Sequence, residues 1–209
     1  MSAKDRKSGR RGILFVVSAP SGGGKTTLVK GALAADAELS LSVSLTTRQP
    51  RAGEVDGQDY VFVTQEEFAR RRAAEEFAEW AQVFEHSYAT PRAPLDAAIA
   101  AGRDVLLDVD IQGARSLKKI YGGDAVGIFV LPPSVGALEK RLRARGTDRE
   151  EQIRRRLDRA RTEVEAAREP GIYDYRIVNE DRDRAIAELR AILVTERLRL
   201  SRVAPPRLE

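Results

Sequence analysis

The stretch Ser18-Ala19-Pro20-Ser21-Gly22-Gly23-Gly24-Lys25-Thr26-Thr27 has the residue types that hold a polyphosphate. Its three glycines free backbone N–H groups to converge on anionic oxygens, and a helix opening at Lys25 points its positive end the same way. Lys25 would reach the β- and γ-phosphates, and the Thr26 hydroxyl would ligate Mg2+. The motif G-x-x-x-x-G-K-[ST] begins with glycine, where this chain has Ala19. A side chain that small fits a strand exit provided its φ is negative.

Two further groups could share the chemistry. Asp104-Val-Leu-Leu-Asp108-Val-Asp110 reads as an apolar strand ending in two carboxylates, which share a face if the strand continues. One of them can hold the water shell of Mg2+; the alternative is a pair of solubilising aspartates at a strand end. In Ser44-Leu-Thr-Thr-Arg48-Gln-Pro-Arg51 and on to Tyr60, two arginines and a phenol can converge on a second phosphate. An exposed basic turn would have the same spacing.

Alternating strands and helices must position these groups. Strands are expected at 12–18, 41–46, 59–63, 104–109, 125–131 and 175–179, and helices at 25–35, 65–80, 92–101, 111–121, 134–145, 148–168 and 181–200. Thr64-x-x-Glu67 and Thr147-x-x-Glu150 fit capping boxes. The pattern argues for an α/β fold, a parallel sheet core flanked by helices, interrupted by an insertion between about 41 and 90. No apolar run approaches the ~20 residues of a bilayer span, and the basic start leads into glycines instead of a cleavage site. With no cysteine, disulfides and thiolate metal sites are excluded, and a reducing cytoplasm is the expected location. A single histidine, His86, rules out a histidine metal cluster and disfavours a Ser-His-Asp triad.

The net charge of +4 is modest, but nine arginines lie between Arg141 and Arg161 against Asp148, Glu150, Glu151 and Asp158. Such a surplus suits an anionic partner, a nucleotide's phosphates or a nucleic-acid backbone, and equally a solvated helix face. A nucleic-acid partner is not expected, since the basic start reads as a flexible tail.

Taken in order, SAPSGGGKTT, SLTTRQPRAGEVDGQDYVF, FAEWAQVF, LLDVDIQGARSLKK, PPSVGALEKRLRARGT and IVN resemble the guanylate kinases, nucleoside monophosphate kinases that act on GMP. The resemblance runs from residue 12 to about 195. It implies an ATP:GMP phosphotransferase of purine metabolism, requiring Mg2+ and binding ATP and GMP, with monomer and homodimer both open. It also implies a division into a tail 1–11, a nucleotide-binding core (12–42, 92–135 and 170–200), a small mixed α/β GMP-binding insertion at 43–91, a helical lid at 136–169 and a tail 201–209.

By motif position, Ala19, Pro20, Ser21, Gly22, Gly23, Gly24, Lys25, Thr26, Thr27 and Asn179 would bind ATP, Asn179 near the adenine. Arg48, Arg51, Tyr60 and Tyr88 would bind the GMP phosphate, and Ser44, Glu79, Thr90 and Asp110 would read the guanine. Glu79, placed on the 65–80 helix, is the telling choice: a carboxylate accepts from guanine N1–H and the 2-amino group, a donor pair adenine lacks. Thr26 and Asp108 would serve the metal. Lys25, Arg48, Arg141, Arg145 and Arg156 would carry the transfer, the remaining lid arginines staying on the surface. Ala89 stands where the family usually has glycine, and His86 reads as a loop residue. Intact Lys25, Thr26 and arginines argue against a catalytically silent interaction module, and Ser44 with Glu79 against a sugar acceptor.

Overall fold

The computed structural model describes residues 10–83, 85–144 and 149–202. Its strands are β1 (Leu14–Ser18), β2 (Leu39–Leu41), β3 (Leu45–Thr46), β4 (Val61–Phe62), β5 (Phe77–Val83), β6 (His86–Pro91), β7 (Asp104–Asp108), β8 (Ala125–Leu131) and β9 (Tyr175–Val178). The helices are α1 (Lys25–Ala35), α2 (Gln65–Ala73), α3 (Arg92–Ala100), α4 (Ile111–Tyr121), α5 (Val135–Ala144), α6 (Glu150–Ala166) and α7 (Arg182–Arg197). A five-stranded sheet, wholly parallel, runs in the order β2-β7-β1-β8-β9. A second, mixed sheet runs β4-β3-β6-β5. Among the described residues no helix is long and apolar enough to cross a membrane.

The central strand β1 is buried along its whole length because it is apolar on both faces. Ile13, Phe15 and Val17 face Leu28 and Ala32 of α1 and Leu189 and Leu193 of α7. Leu14 and Val16 face the opposite layer, with Leu95 and Ile99 of α3 and Leu117 of α4. Each fully buried side chain of this kind contributes roughly 1.5–3 kcal/mol. A separate apolar cluster, Leu138, Leu142, Ile153 and Ala160, joins α5 to α6.

Several expected elements differ. The run 41–46 is not one strand: β2 ends at Leu41 in the central sheet and β3 starts at Leu45 in the mixed one. The helix expected over 65–80 stops at Ala73, where Glu75 takes a left-handed φ of 55° and the chain re-enters as β5. Strand β6 was not anticipated, and it makes His86 a strand residue paired with Val83. Thr64 caps α2, accepting from the Glu67 N–H at 3.2 Å, but Glu67 turns its carboxylate to Arg70 and Arg71 and the box is half made. Thr147 lies outside the described residues; at α6 the Gln152 side chain accepts from the Arg149 N–H at 2.8 Å. Most of both expected tails, 1–9 and 203–209, lies outside the described residues too. Arg10 and Arg11 do not behave as tail, being ion-paired to Asp104 and Asp124.

Asp104 ties β7 and α7 to the segment that leads into β1. Its carboxylate accepts from the Ile13 N–H (3.1 Å), Arg10 (2.9 Å) and Arg197 (2.6 Å), and Arg197 also reaches Asp36 at 2.6 Å. The aspartate side chain is 1% exposed, so its removal leaves cationic and amide donors without their buried acceptor. Asp104→Ala is expected to lower the unfolding free energy by about 3–5 kcal/mol, read from the urea midpoint. An unchanged midpoint would sink this account of the cluster.

Candidate active site

The phosphate loop leaves β1 and enters α1 through two glycines with left-handed backbone, Gly22 (φ 89°) and Gly24 (φ 91°). Among the described residues only Glu75 is non-glycine with positive φ, so Ala19 meets the condition its side chain imposed. Gly23 donates to the Pro20 carbonyl at 2.8 Å, closing the turn. A Cβ at Gly24 would fall 2.2 Å from Asn179 Nδ2, and that amide donates to the Gly23 carbonyl at 2.9 Å. Asn179 is thus buried behind the loop as its buttress, and does not line the cleft. Its own carbonyl accepts from Arg141 Nη2 at 2.7 Å, while Arg141 Nη1 is buried without a partner about 4.0 Å from the Cβ position of Gly24.

Lys25 ends at the mouth of β7, its Nζ 2.5 Å from Asp108 Oδ1 and 2.6 Å from the Val109 carbonyl. Thr26 and Thr27 are exposed on the first turn of α1. Asp110 is not on a continuing strand: β7 stops at Asp108, and Asp110 caps α4, its Oδ1 accepting from the Gly113 N–H at 2.9 Å. The chain turns because the aspartate satisfies a helix-end donor that no residue of α4 can. The two carboxylates therefore take different partners, Asp108 the Lys25 ammonium and Asp110 the first turn of α4. Hard oxygen donors at Thr26 and Asp108 suit a magnesium ion, which binds through one or two protein oxygens and substrate phosphates.

A cleft of about 630 Å3 opens between the loop from Ala19 to Thr27, Val83, Asp110 and one face of α6. That face brings Gln152, Arg155, Arg156, Arg159 and Glu163, so Arg159, expected on the surface, lines the cleft with Arg156, while Arg155 is at its rim and stays on the surface as expected. Glu163 was not singled out in the sequence; its carboxylate accepts from the Ser21 N–H at 3.3 Å and from Arg159 at 2.8 Å. Arg145 lies outside the described residues.

The mixed sheet supplies a second anionic and cationic grouping. Arg48 is buried, forked onto Glu54 at 2.8 and 2.9 Å, with its guanidinium 5.4 Å from the Tyr60 ring centre. Glu54 was also missed, although it lies in the same run, three residues after Arg51, whose backbone N–H it takes at 2.8 Å. The fork holds the Arg48 proton more tightly and draws Glu54 below the usual carboxylate range. Tyr60 and Tyr88 meet edge to face at 6.0 Å, and burial, then the charge of Asp108, pushes the Tyr60 phenol up. Arg51 is exposed, and Ser44 is half-buried just before β3.

Glu79 is on strand β5, which corrects its helical placement. An irregularity in the β5–β6 register between Phe77 and Glu79 leaves Ala78 and Glu79 both buried, breaking the alternation of a regular strand and turning Glu79 inward. Its Oε1 accepts from the Thr90 hydroxyl at 2.5 Å. Burial pushes the Glu79 carboxyl up to about 7; the Thr90 bond opposes this and the Asp110 charge adds to it. Ala89 sits fully buried in β6 opposite Leu45 and Trp80 with ordinary extended backbone, so no glycine is needed there.

A family model described as guanylate kinase matches residues 11–196. The guanylate kinase of Maricaulis maris is 50% identical over 200 residues, 96% of this chain and 89% of the relative. That of Mesorhizobium japonicum is 49% identical over 193 residues, 92% of this chain and 87% of the relative. The crystal structure of guanylate kinase from Anaplasma phagocytophilum superposes with a TM-score of 0.75 at 34% identity, covering 93% of this chain and 91% of that one. The loop, the acidic corner and the arginine-bearing face of α6 thus occur together in a chain whose matches span nearly its whole length, and the chain belongs to the guanylate kinase family.

Proposed function

We infer that the loop from Ala19 to Thr27 holds the ATP phosphates and the mixed sheet holds GMP, so that the cleft between them transfers the γ-phosphoryl group to give ADP and GDP. The observation that carries the residue assignment is the corner at the end of β7. There Lys25 and Asp108 are in contact, and two residues on Asp110 caps the helix that packs against Glu79.

An oxygen of the GMP phosphate attacks the γ-phosphorus while its bond to the ADP oxygen breaks, and no covalent enzyme intermediate forms. Catalysis is then alignment and charge stabilisation. Lys25, Arg141 and Arg156 stabilise charge on the transferring oxygens, Arg145 is assigned with them on resemblance, and Arg155 and Arg159 add to the field of the lid. Arg48, kept in place by Glu54, binds the acceptor phosphate with Arg51, Tyr60 and Tyr88. Glu79 accepts from guanine N1–H and the 2-amino group, beside Ser44, Thr90 and Asp110. Asn179 keeps the loop in shape. Thr26 and Asp108 would hold Mg2+ together with the substrate phosphates, and the ion would supply charge neutralisation there. The division into core, insertion at 43–91 and lid at 136–169 follows the same reading, as does a cytoplasmic location.

Under saturating ATP, GMP is expected to be phosphorylated and AMP, UMP and CMP to be poor acceptors. Lys25→Ala should lower kcat by about 100-fold or more, the scale for one preorganised charge-stabilising donor. A coupled assay in which the variant keeps its kcat would reject the donor assignment.

The Glu79 carboxyl gives a pH signature. Only its ionised form accepts both guanine donors, so with a midpoint of about 7 the KM for GMP should fall as pH rises. The change should be roughly tenfold between pH 6 and pH 8. GMP's own phosphate titrates near pH ~6 and is shared by Glu79→Gln, so the difference between the two profiles isolates the residue. In the folded protein the midpoint is raised from 4.5 to about 7. Its contribution to stability is therefore complete below the unfolded value and lost as pH rises through the folded one. The wild-type Tm should decline relative to Glu79→Gln across that window; parallel Tm curves would show that Glu79 titrates normally.

A further inference from the structure

We propose that Gly113 is a specificity-determining positioning residue, whose missing side chain leaves the Glu79 carboxylate the place from which it recognises the acceptor base. The proposal rests on the reading of Glu79 given above. Gly113 lies on the first turn of α4, where it donates to Asp110 Oδ1 at 2.9 Å. A Cβ there would come 2.7 Å from Glu79 Oε2 and 3.1 Å from Glu79 Cδ. Real Cβ atoms do not approach oxygen that closely, so something has to yield. The turn of α4 is fixed by its Asp110 cap and by the Ala114 N–H bond to the Asp110 carbonyl at 3.0 Å. The far oxygen of Glu79 is the softer partner, although Oε1 is held by Thr90 at 2.5 Å. An added methyl group therefore swings Oε2 away about the bond to Thr90 and breaks the parallel presentation of two acceptor oxygens. Alanine is otherwise the better helix former, so helix propensity does not explain a glycine at this position.

A third contact, 3.1 Å to Val109 Cβ, would be crowded whatever occupies position 79. A double-mutant cycle separates the two effects. Gly113→Ala, Glu79→Ala and the double variant are compared by KM and kcat for GMP, KM for ATP, GMP-over-AMP preference and Tm. Gly113→Ala should raise the KM for GMP about tenfold or more, the scale for losing a charge-assisted bond, while kcat at saturating GMP and the KM for ATP stay within about twofold. In the Glu79→Ala background the same substitution should change the KM for GMP less than about twofold, and any loss of Tm that remains there measures the Val109 crowding alone. An undiminished penalty in that background would assign the effect to Val109 packing and overturn the proposal. An unchanged KM for GMP in Gly113→Ala, with a raised one in Glu79→Ala, would overturn the positioning role and leave the reading of Glu79 standing. Unaltered GMP preference in Glu79→Ala would overturn both.

Discussion

The structure depends on one strand end, where the phosphate loop meets the helix that packs against Glu79. β7 stops at Asp108 in contact with Lys25, the next carbonyl takes the same ammonium at 2.6 Å, and Asp110 then caps α4. Ser18, the last residue of β1, donates its hydroxyl to the Asp110 carbonyl at 3.3 Å, so the phosphate loop and the cap of α4 begin from one bonded corner. Parallel sheets collect such ends along one edge, since every strand delivers its C-terminus on the same side. The spacing between the loop and the cap of α4 is therefore set by backbone in the buried sheet, where β1 and β7 are paired from Leu14 to Val17.

The same corner explains why a buried carboxylate is tolerated in the mixed sheet. Glu79 is 8% exposed and lies near a second acid, Asp110, a combination that raises its midpoint to about 7. It is offset by the Thr90 hydroxyl and by the N-terminal turn of α4, whose backbone dipoles favour negative charge. An uncompensated carboxylate in that place would simply hold its proton. The site is poised between the two forms, and a ligand presenting two N–H donors shifts it toward the ionised one.

The sequence made the donor side legible because its signals are local. A short apolar run, three glycines and Gly-Lys-Thr specify strand, turn and helix within fourteen consecutive residues, 14 to 27, and β1, the loop and α1 form there. The acceptor side is built from long-range pairs, and local pattern misled. Phe68-Ala-Arg-Arg-Arg-Ala-Ala-Glu-Glu-Phe-Ala-Glu is rich in helix formers, which propensity alone would continue past Ala73. Pairing with β6 wins instead, and the register irregularity at Phe77–Glu79 hides the strand's alternation. Asp110 is a similar case: two acids at spacing two look alike whether the chain runs on or turns into a helix. Glu54, Gly113 and Glu163 carry no motif of their own. Glu54 and Gly113 stood inside runs quoted for other residues, and only the fold shows what each one touches.

Helical periodicity sorts the arginines of α6. On α6, positions 152, 155, 156, 159 and 163 fall at the spacing of one face, and that face looks into the cleft. Ile153 and Ala160 belong to another face and pack on Leu138 and Leu142 of α5. Arg154 and Arg161 point away and meet Glu150 and Asp158 one turn along the helix at 3.9 and 3.2 Å, the arrangement of exposed helix pairs worth little to stability. Arg156 and Arg159 thus turn part of the positive charge toward the phosphate loop, while Arg155 is an exposed rim residue paired with Glu151. Glu163 at the end of that face tempers it, since its carboxylate is shared between Arg159 and the Ser21 N–H. A helix that presented only arginines to a phosphate loop would be repelled by the loop's own partial positive charge. One acid on the inner face lets α6 lie against the loop.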